Sequence, residues 1–392
     1  MMDLGTARVE IDRIDGELAS LYAKRMALSD EIAAAKRATG AGVSDPGRER
    51  EVLLHVSKIA KESFPGAPDA EKSRVADGAR LLFTTLFGIS KARQRAALHG
   101  GSVLAKRIAE ATRAAAPFPE SAVVACPGAD GSYAQQAVSR LFKLPSILFF
   151  PDFEKVFEAV EKGLCPYGVL PIENSAVGSV AQVYDQMLKH RFHIARAARV
   201  KVDHVLLGAR GAKTSDVREV WSHPHALAQC GAFLRSLPQA KAVPAANTAL
   251  AARALAAEGR KDVAVVASRA CADIYGLDVI AEGIADAAYN YTRFICISRD
   301  FSVTPDASKF SIMLNLPHRP GSLNAIMSKF AAIDVNLTKL ESRPEPGMDF
   351  EFRFAFDFEA SPVDSGVLAL LGELSQDPEI ERFAFLGAYA EI

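Results

Sequence analysis

Tyr289-Asn290-Tyr291-Thr292-Arg293-Phe294-Ile295 combines aromatic, β-branched and polar residues in a pattern that fits a strand. On a strand, Asn290, Thr292 and Phe294 share one face, and Tyr291, Arg293 and Ile295 share the other. By itself Thr292 is only a β-preferring residue, and Arg293 reads as structural or as an ion-pair partner. Moving outward over residues 121–300, short apolar runs (VVAC, YGVLPIE, HVLLGA, EVW, DVAVVA) alternate with amphipathic stretches, which predicts an α/β fold. An apolar strand, a small polar residue and a helix recur in sequence at Gly128–Ser132, at Asn174-Ser175 with Gly178-Ser179, at Ser222-His223-Pro224 and at Asn247-Thr248. Ser, Thr and Asn cap helix starts, where backbone N–H groups are free. Capping alone accounts for each junction. Together, along one edge of an open sheet, they also fit an anion site.

After Thr304-Pro305-Asp306 the pattern changes to strand 309–316, helix 321–332, strands 335–343 and 349–358, helix 363–375 and strand 380–387. That βαββαβ order is a ferredoxin-like unit. Towards the N-terminus, residues 3–98 read as helix, with breaks around Thr39–Pro46 and Phe64–Pro68. A Gly100-Gly101-Ser102 break, an Ala-rich helix and the Pro117/Pro119 punctuation follow. The expected division is a helical domain at 1–100, a linker helix at 101–120, an α/β domain at 121–300 and an α+β domain at 306–392. The chain has 392 residues, with 46 Lys plus Arg against 47 Asp plus Glu, a balance that points to neither nucleic acid nor an acidic membrane. Five scattered cysteines, never in CxxC spacing, read as buried thiols in a reducing, cytoplasmic compartment. No apolar run is long enough for a membrane span or a signal peptide.

Ile11, Ile14, Leu18, Leu21, Arg25, Leu28 and Ile32 alternate spacings of three and four, which predicts a long helix packed against others. Arg25 stands where an apolar residue belongs, so it either meets a carboxylate or extends its head to solvent. Lys36 lies three turns on along much the same face, and Arg8 is near the other end. Arg8, Arg25, Lys36, the run Asp45-Pro46-Gly47-Arg48-Glu49, and Ser90 with Gln94 resemble the pattern of the all-helical chorismate mutases over about residues 3–98. The resemblance implies a helical dimer in which Arg8 is lent to the partner's site. Arg25, Arg8 and Arg48 would hold the two carboxylates of chorismate, with Asp45 and Ser90 in the site and Glu49 accepting from a hydroxyl. Lys36 and Gln94 would donate to the ether oxygen. The rearrangement is intramolecular and needs no nucleophile, metal, acid or cofactor. Arginine forks grip carboxylates bidentately, and positioning can supply about 7–11 kcal/mol of barrier.

Pro171-Ile172-Glu173-Asn174-Ser175, the stretch SHPHALAQC from Ser222 to Cys230 and the Thr292-Arg293-Phe294 triplet resemble the prephenate dehydratases across 121–300. That family implies two α/β lobes with a cleft, similar to periplasmic binding proteins. Thr292 would be the proton donor, Asn174, Ser132, Ser222, Gln229 and Thr248 would orient prephenate, and Glu173 would support the site. Ala134 and Asn247 depart from the usual family residues; Asn247 still caps well.

His318-Arg319-Pro320-Gly321-Ser322-Leu323 and Glu341-Ser342-Arg343-Pro344 resemble the ACT regulatory domain, which binds phenylalanine at a subunit interface. Gly321, Ser322, Leu323, Glu341, Ser342 and Arg343 would form that site. Together the resemblances imply an enzyme that turns chorismate into prephenate and then into phenylpyruvate, under phenylalanine feedback, as a homodimer or higher oligomer. Two rivals are a cytosolic amino-acid sensor and a dehydratase whose helical domain only dimerises. The cationic set from Arg8 to Gln94 and the Thr292 strand argue against both.

Overall fold

The computed structural model describes residues 3–99, 102–344 and 352–392. Asp3 accepts from the N–H groups of Gly5 and Thr6 and opens α1 (Leu4–Thr39). Asp45 accepts from Arg48 N at 3.0 Å and, with Pro46 in the first turn, starts α2 (Pro46–Glu62). The third helix is α3 (Asp69–His99), so both expected breaks fall where the Gly/Pro punctuation puts them. The Gly100-Gly101 part of the next break lies outside the described residues.

The packing of α1 differs from the expectation. Its buried residues are Met26, Ser29 and Ala33, spaced for one helical face. The predicted seam of Ile11, Ile14, Leu18, Leu21, Leu28 and Ile32 is instead 42–60 % exposed. The helices of a single chain number too few to cover both faces, so the apolar stripe is left facing outward.

The α/β region holds β1 (Ser121–Pro127), α5 (Tyr133–Leu141), β2 (Leu144–Phe150), α6 (Phe153–Glu161), β3 (Tyr167–Asn174), β4 (Gly178–Ser179), α7 (Ala181–His190) and β5 (His193–Lys201), preceded by α4 (Val103–Arg113). Then come β6 (His204–Gly208), β7 (Glu219–Ser222), α8 (Pro224–Gln229), α9 (Gly231–Arg235), β8 (Lys241–Pro244), α10 (Thr248–Glu258), β9 (Val263–Ser268), α11 (Ala270–Tyr275), β10 (Asp278–Ala281) and β11 (Tyr291–Ser298). One lobe is built on β5-β11-β3-β1-β2; the other is a mixed sheet in the order β10-β6-β9-β7-β8. Each sheet has its own apolar core, the first around Phe157, Leu170, Met187 and Ile295, the second around Leu207, Val265 and Leu255.

The C-terminal unit is β12 (Lys309–Leu316), α12 (Ser322–Ala332), β13 (Leu337–Pro344), β14 (Phe352–Glu359), α13 (Ser365–Gln376) and β15 (Phe383–Glu391), in the sheet order β13-β14-β12-β15. That is the predicted βαββαβ topology. The final strand begins a few residues later than expected, because Asp377–Ile380 forms a turn; the expected residues 349–351 of the preceding strand lie outside the described part. At its far edge β15 pairs parallel to β5, so this sheet continues into the first α/β lobe. The expected linker helix α4 is docked on this unit: Ile108 is fully buried in its core. Gly372 permits the approach, since a Cβ there would stand 2.7 Å from Ser102 Cβ.

Arg293 ties the two sheets together. It is 7 % exposed, bonded through Nη1 to Asp357 Oδ2 at 2.5 Å and through Nη2 to the Tyr389 hydroxyl at 2.6 Å. Its Nε lies 2.7 Å from Glu391 Oε2 as an ion pair without hydrogen-bond alignment. Lys309 shares Glu391 at 2.9 Å. Burial pushes the Glu391 pKa up, but Arg293, Lys309 and Arg199 more than offset it and the net shift is downward. Removing one partner of a buried network strands the others. Arg293→Met should therefore lower stability by about 3–5 kcal/mol in urea denaturation; a loss below about 1 kcal/mol would show that the two sheets do not depend on this charge.

Candidate active sites

A cleft of about 710 Å³ opens between the two α/β lobes, lined by Ser132, Asn174, Gln229, Thr248, Thr292 and Phe294 among others. The alternation read from the sequence holds: Thr292 and Phe294 face this cleft, while Tyr291 and Arg293 face away. Asn174 sets the chemistry of Thr292. Its Oδ1 accepts from Ala176 N and Val177 N at 2.9 and 3.0 Å, which fixes the amide orientation. Its Nδ2 then donates to Asn290 Oδ1 at 2.7 Å and to Thr292 Oγ1 at 2.9 Å. A hydroxyl that accepts from an amide keeps its own proton free to donate.

The N-termini of α5 and α10 border the cleft. Ser132 caps α5 by accepting from Gln135 N, and Asn247 caps α10 by accepting from Ala249 N and Leu250 N. Helix starts of this kind present N–H groups and positive dipole ends to an anion. Gly131 sits before α5 at φ 83°, and a Cβ there would lie 2.6 Å from Cys271 Sγ, so both conformation and space require glycine.

The other two junctions are built differently from the sequence expectation. Asn174 caps a turn, while α7 begins at Ala181 with no side-chain cap. The cap of α8 is His223, which accepts from His225 N. Ser222 is fully buried and donates to Val266 O at 2.6 Å across the sheet, so it does not line the cleft. Glu173 follows the same alternation as Arg293. It faces a second, charged cavity of about 760 Å³ between the first lobe and the C-terminal unit, where Lys339 lies 3.2 Å away.

Sequence reasoning named Gln229 but missed His204 and Tyr133, the side chains joined to it in the cleft wall. His204, 3 % exposed, lies 3.1 Å from both the Tyr133 hydroxyl (through Nδ1) and Gln229 Oε1 (through Nε2). Burial lowers the His204 pKa, so the ring is neutral at neutral pH. Its place after the apolar-run boundary at Val202-Asp203 gave no periodic signal to mark it. Burial also pushes the Cys126 and Cys230 thiols up to about 12, and all five cysteines are buried free thiols.

In the helical domain, Arg25 Nη1 donates to Ser90 Oγ at 2.5 Å and to Leu86 O at 3.3 Å. Ser90 and Gln94, one turn apart, are both buried, and Gln94 Oε1 has no hydrogen-bond partner among the described residues. Lys36 donates to Val43 O at 2.6 Å, Glu49 pairs with Lys91 at 3.2 Å and Arg48 pairs with Glu51 in solvent. Asp45 is occupied as the α2 cap. Arg8 is exposed on the same helix as Arg25, and seventeen residues of helix separate them by roughly 25 Å.

In the C-terminal unit, Gly321 opens α12 at φ 86° and Leu323 packs against the local core. Glu341 and Arg343 point elsewhere, to the first α/β lobe: Glu341 meets Ser179 and Lys339, and Arg343 donates to Ala181 O at 2.8 Å. Ser342, between them, is exposed. Among the described residues no helix is long and apolar enough to cross a membrane.

Residues 124–302 match the prephenate dehydratase family and residues 7–95 match the type II chorismate mutase family. A chloroplastic arogenate dehydratase/prephenate dehydratase of Arabidopsis thaliana is 37 % identical over 278 residues, covering 67 % of this chain and 70 % of the relative. Among solved structures, a prephenate dehydratase from Arthrobacter aurescens in complex with L-Phe is 30 % identical with a TM-score of 0.62, covering 68 % of this chain and 90 % of that one. A protein described as a novel type of quorum-quenching acylase is 27 % identical with a TM-score of 0.61, covering 69 % of this chain and 98 % of its own. Fold and cleft thus define an enzyme whose two-lobed lyase domain follows an all-helical mutase domain. The chain belongs to the prephenate dehydratase family, carries a type II chorismate mutase domain, and acts in phenylalanine biosynthesis.

Because the folded pKa of His204 is depressed, its contribution to stability is complete above the unfolded value of about 6.5 and is lost as pH falls through the lower folded value. Thermal denaturation should show a Tm that drops more steeply below about pH 6.5 in the wild type than in His204→Gln. Parallel curves would remove His204 from the acid transition.

Proposed function

We propose that one chain rearranges chorismate to prephenate in residues 1–100 and dehydrates and decarboxylates prephenate to phenylpyruvate in 121–300, with 306–392 as an ACT domain that takes phenylalanine. The observation that carries the dehydratase reading is the Asn174 amide, locked by two backbone N–H groups, which donates to the Thr292 hydroxyl at the cleft and leaves its proton free to be given. Prephenate binds with its carboxylates toward the N-termini of α5 and α10, held by Ser132, Thr248 and Gln229. As carbon dioxide leaves, its bonding pair enters the ring. The ring C–O bond breaks, and the departing oxygen, stabilised by the Thr292 hydrogen bond, leaves as hydroxide, which takes a proton from solvent to become water. Ser222 and Glu173 support this site through the sheet and the adjoining cavity, without touching the substrate.

The cleft also favours prephenate over arogenate, its amino analogue. Asp152 is the carboxylate among the described lining residues, and its Oδ1 already accepts from Lys155 N at 2.8 Å. An added ammonium would meet this one carboxylate alone, already engaged through one oxygen as a helix cap.

For the mutase reaction, Arg25, Ser90, Gln94 and Lys36 bind chorismate within one chain, with Arg48, Asp45 and Glu49 at the α2 start. Arg8 comes from a second copy, since it stands too far from Arg25 to grip the same small dianion. The exposed Ile11–Ile32 stripe supports that dimer, because an apolar seam of this length is stable only when covered. Phenylalanine would bind between Gly321-Ser322-Leu323 of one chain and the β13 edge at Ser342 of another, while Glu341 and Arg343 are taken up by the first α/β lobe; the relative solved with L-Phe supports an effector of this kind. Neither reaction calls for a cofactor. Buried free thiols support a reducing compartment, and we place the enzyme in the cytoplasm.

Purified protein given chorismate alone should release phenylpyruvate. Arg25→Ala should abolish chorismate turnover while retaining the dehydratase. Thr292→Val should do the reverse, with kcat for prephenate down about 10²–10³-fold. Retained dehydratase activity in Thr292→Val would remove Thr292 from the chemistry. Prephenate should be preferred to arogenate in kcat/KM, and phenylalanine should slow phenylpyruvate formation; binding by calorimetry without any change in rate would separate the C-terminal unit from catalysis.

A further inference from the structure

Helix α3 presents two adjacent stripes near its end. Ser90 and Gln94 turn toward Arg25, and Lys91 and Arg95, also one turn apart, turn toward the C-terminal unit. Arg95 grips Asp377 bidentately, Nη1 to Oδ1 at 2.9 Å and Nη2 to Oδ2 at 2.8 Å, and both side chains are largely buried. Asp377 is itself held at the end of α13, where its Oδ1 accepts from Glu379 N at 3.1 Å. Two residues on, Glu379 lies 3.8 Å from Lys91 Nζ, and the same Nζ lies 3.2 Å from Glu49 Oε1. Glu379 also meets Arg319, but that pair is exposed and contributes little. The buried Arg95–Asp377 fork is the strong element, and Lys91 is the cation shared between Glu49 and the C-terminal unit.

This has a consequence for the mutase site, and it rests on the reading of that site above. Gln94 is a neighbour of Arg95 in sequence, and its carbonyl oxygen is buried without a partner among the described residues. Its direction is therefore set by the helix turn that Arg95 anchors. Glu49 has its carboxylate held by Lys91. We propose that Lys91 and Arg95 are positioning residues for the mutase reaction, through which Asp377 and Glu379 of the C-terminal unit set where Gln94 and Glu49 stand. The mutase site is then complete only when the last domain of the chain is docked on α3.

The test uses the full chain. Chorismate KM and kcat are measured for the wild type, Lys91→Met, Lys91→Arg and Asp377→Asn, and phenylpyruvate release from prephenate is followed on the same preparations. Lys91→Met, which releases the hydroxyl acceptor Glu49, should raise the chorismate KM about tenfold with kcat changed less than about threefold, and Asp377→Asn, which loosens the ether-oxygen donor Gln94, should lower kcat about tenfold. Lys91→Arg should recover most of that KM, and all variants should match the wild type with prephenate. Wild-type chorismate KM and kcat in both Lys91→Met and Asp377→Asn overturn the proposal and leave the mutase reading intact. If Asp377→Asn loses both activities it has lost its fold, and Lys91→Met against Lys91→Arg decides: equal KM values overturn the proposal, and a raised KM rescued by arginine supports it. A wild type that turns over prephenate and not chorismate sinks the mutase reading and this proposal together.

Discussion

A guanidinium can be buried only where anions surround it, and the anions that surround Arg293 come from the C-terminal unit. Asp357 lies on β14 and Glu391 on β15, whereas Arg293 lies on β11 of the first α/β lobe. Desolvation of either charge alone would cost several kcal/mol. The lobe and the C-terminal unit therefore have to meet at this place, and their sheets join there through β5 and β15. Thr292 is the next residue along the same strand and faces the opposite way. The position of its hydroxyl in the cleft is thus tied to a charge network on the far side of the sheet. Alternation on a strand converts one ion-pair network into the placement of one hydroxyl in the cleft.

The helical domain follows another logic. It spends its small buried face on contact between α1 and α3 and leaves the longer apolar stripe outward. A unit of three helices leaves one face of α1 uncovered, and the proposed second copy would cover it through the same hydrophobic term that folds the first. Within a chain, the domain meets the C-terminal unit through the Arg95–Asp377 fork. Helix α4 looks like a spacer in sequence because it is short and rich in alanine. Ile108 and the glycine at position 372 opposite Ser102 make it part of the C-terminal core.

Several site residues were legible because their signal is local. Thr292 and Asn174 declare themselves by strand alternation and motif, and Ser132 and Asn247 by capping chemistry. Ser222 has equally good local credentials, yet its hydroxyl is spent on the Val266 carbonyl of a neighbouring strand, a contact forty-four residues distant in sequence. His204 has no local credentials, since a histidine at a strand start carries no period, but the fold seals it between Tyr133 and Gln229.

The amino-acid sequence by itself determined the kind and order of the elements and the two faces of β11. Those properties come from periodicity, capping and turn chemistry, which act within a few residues. Only the tertiary structure decided which side chains share a cavity. It sent Glu173 to the charged cavity instead of the cleft, turned Glu341 and Arg343 onto the α/β lobe, and brought Asp377 to Arg95 across 282 positions. The reason is physical: burial and charge pairing are settled between whole sheets and helices, and no local pattern records which partner lies opposite.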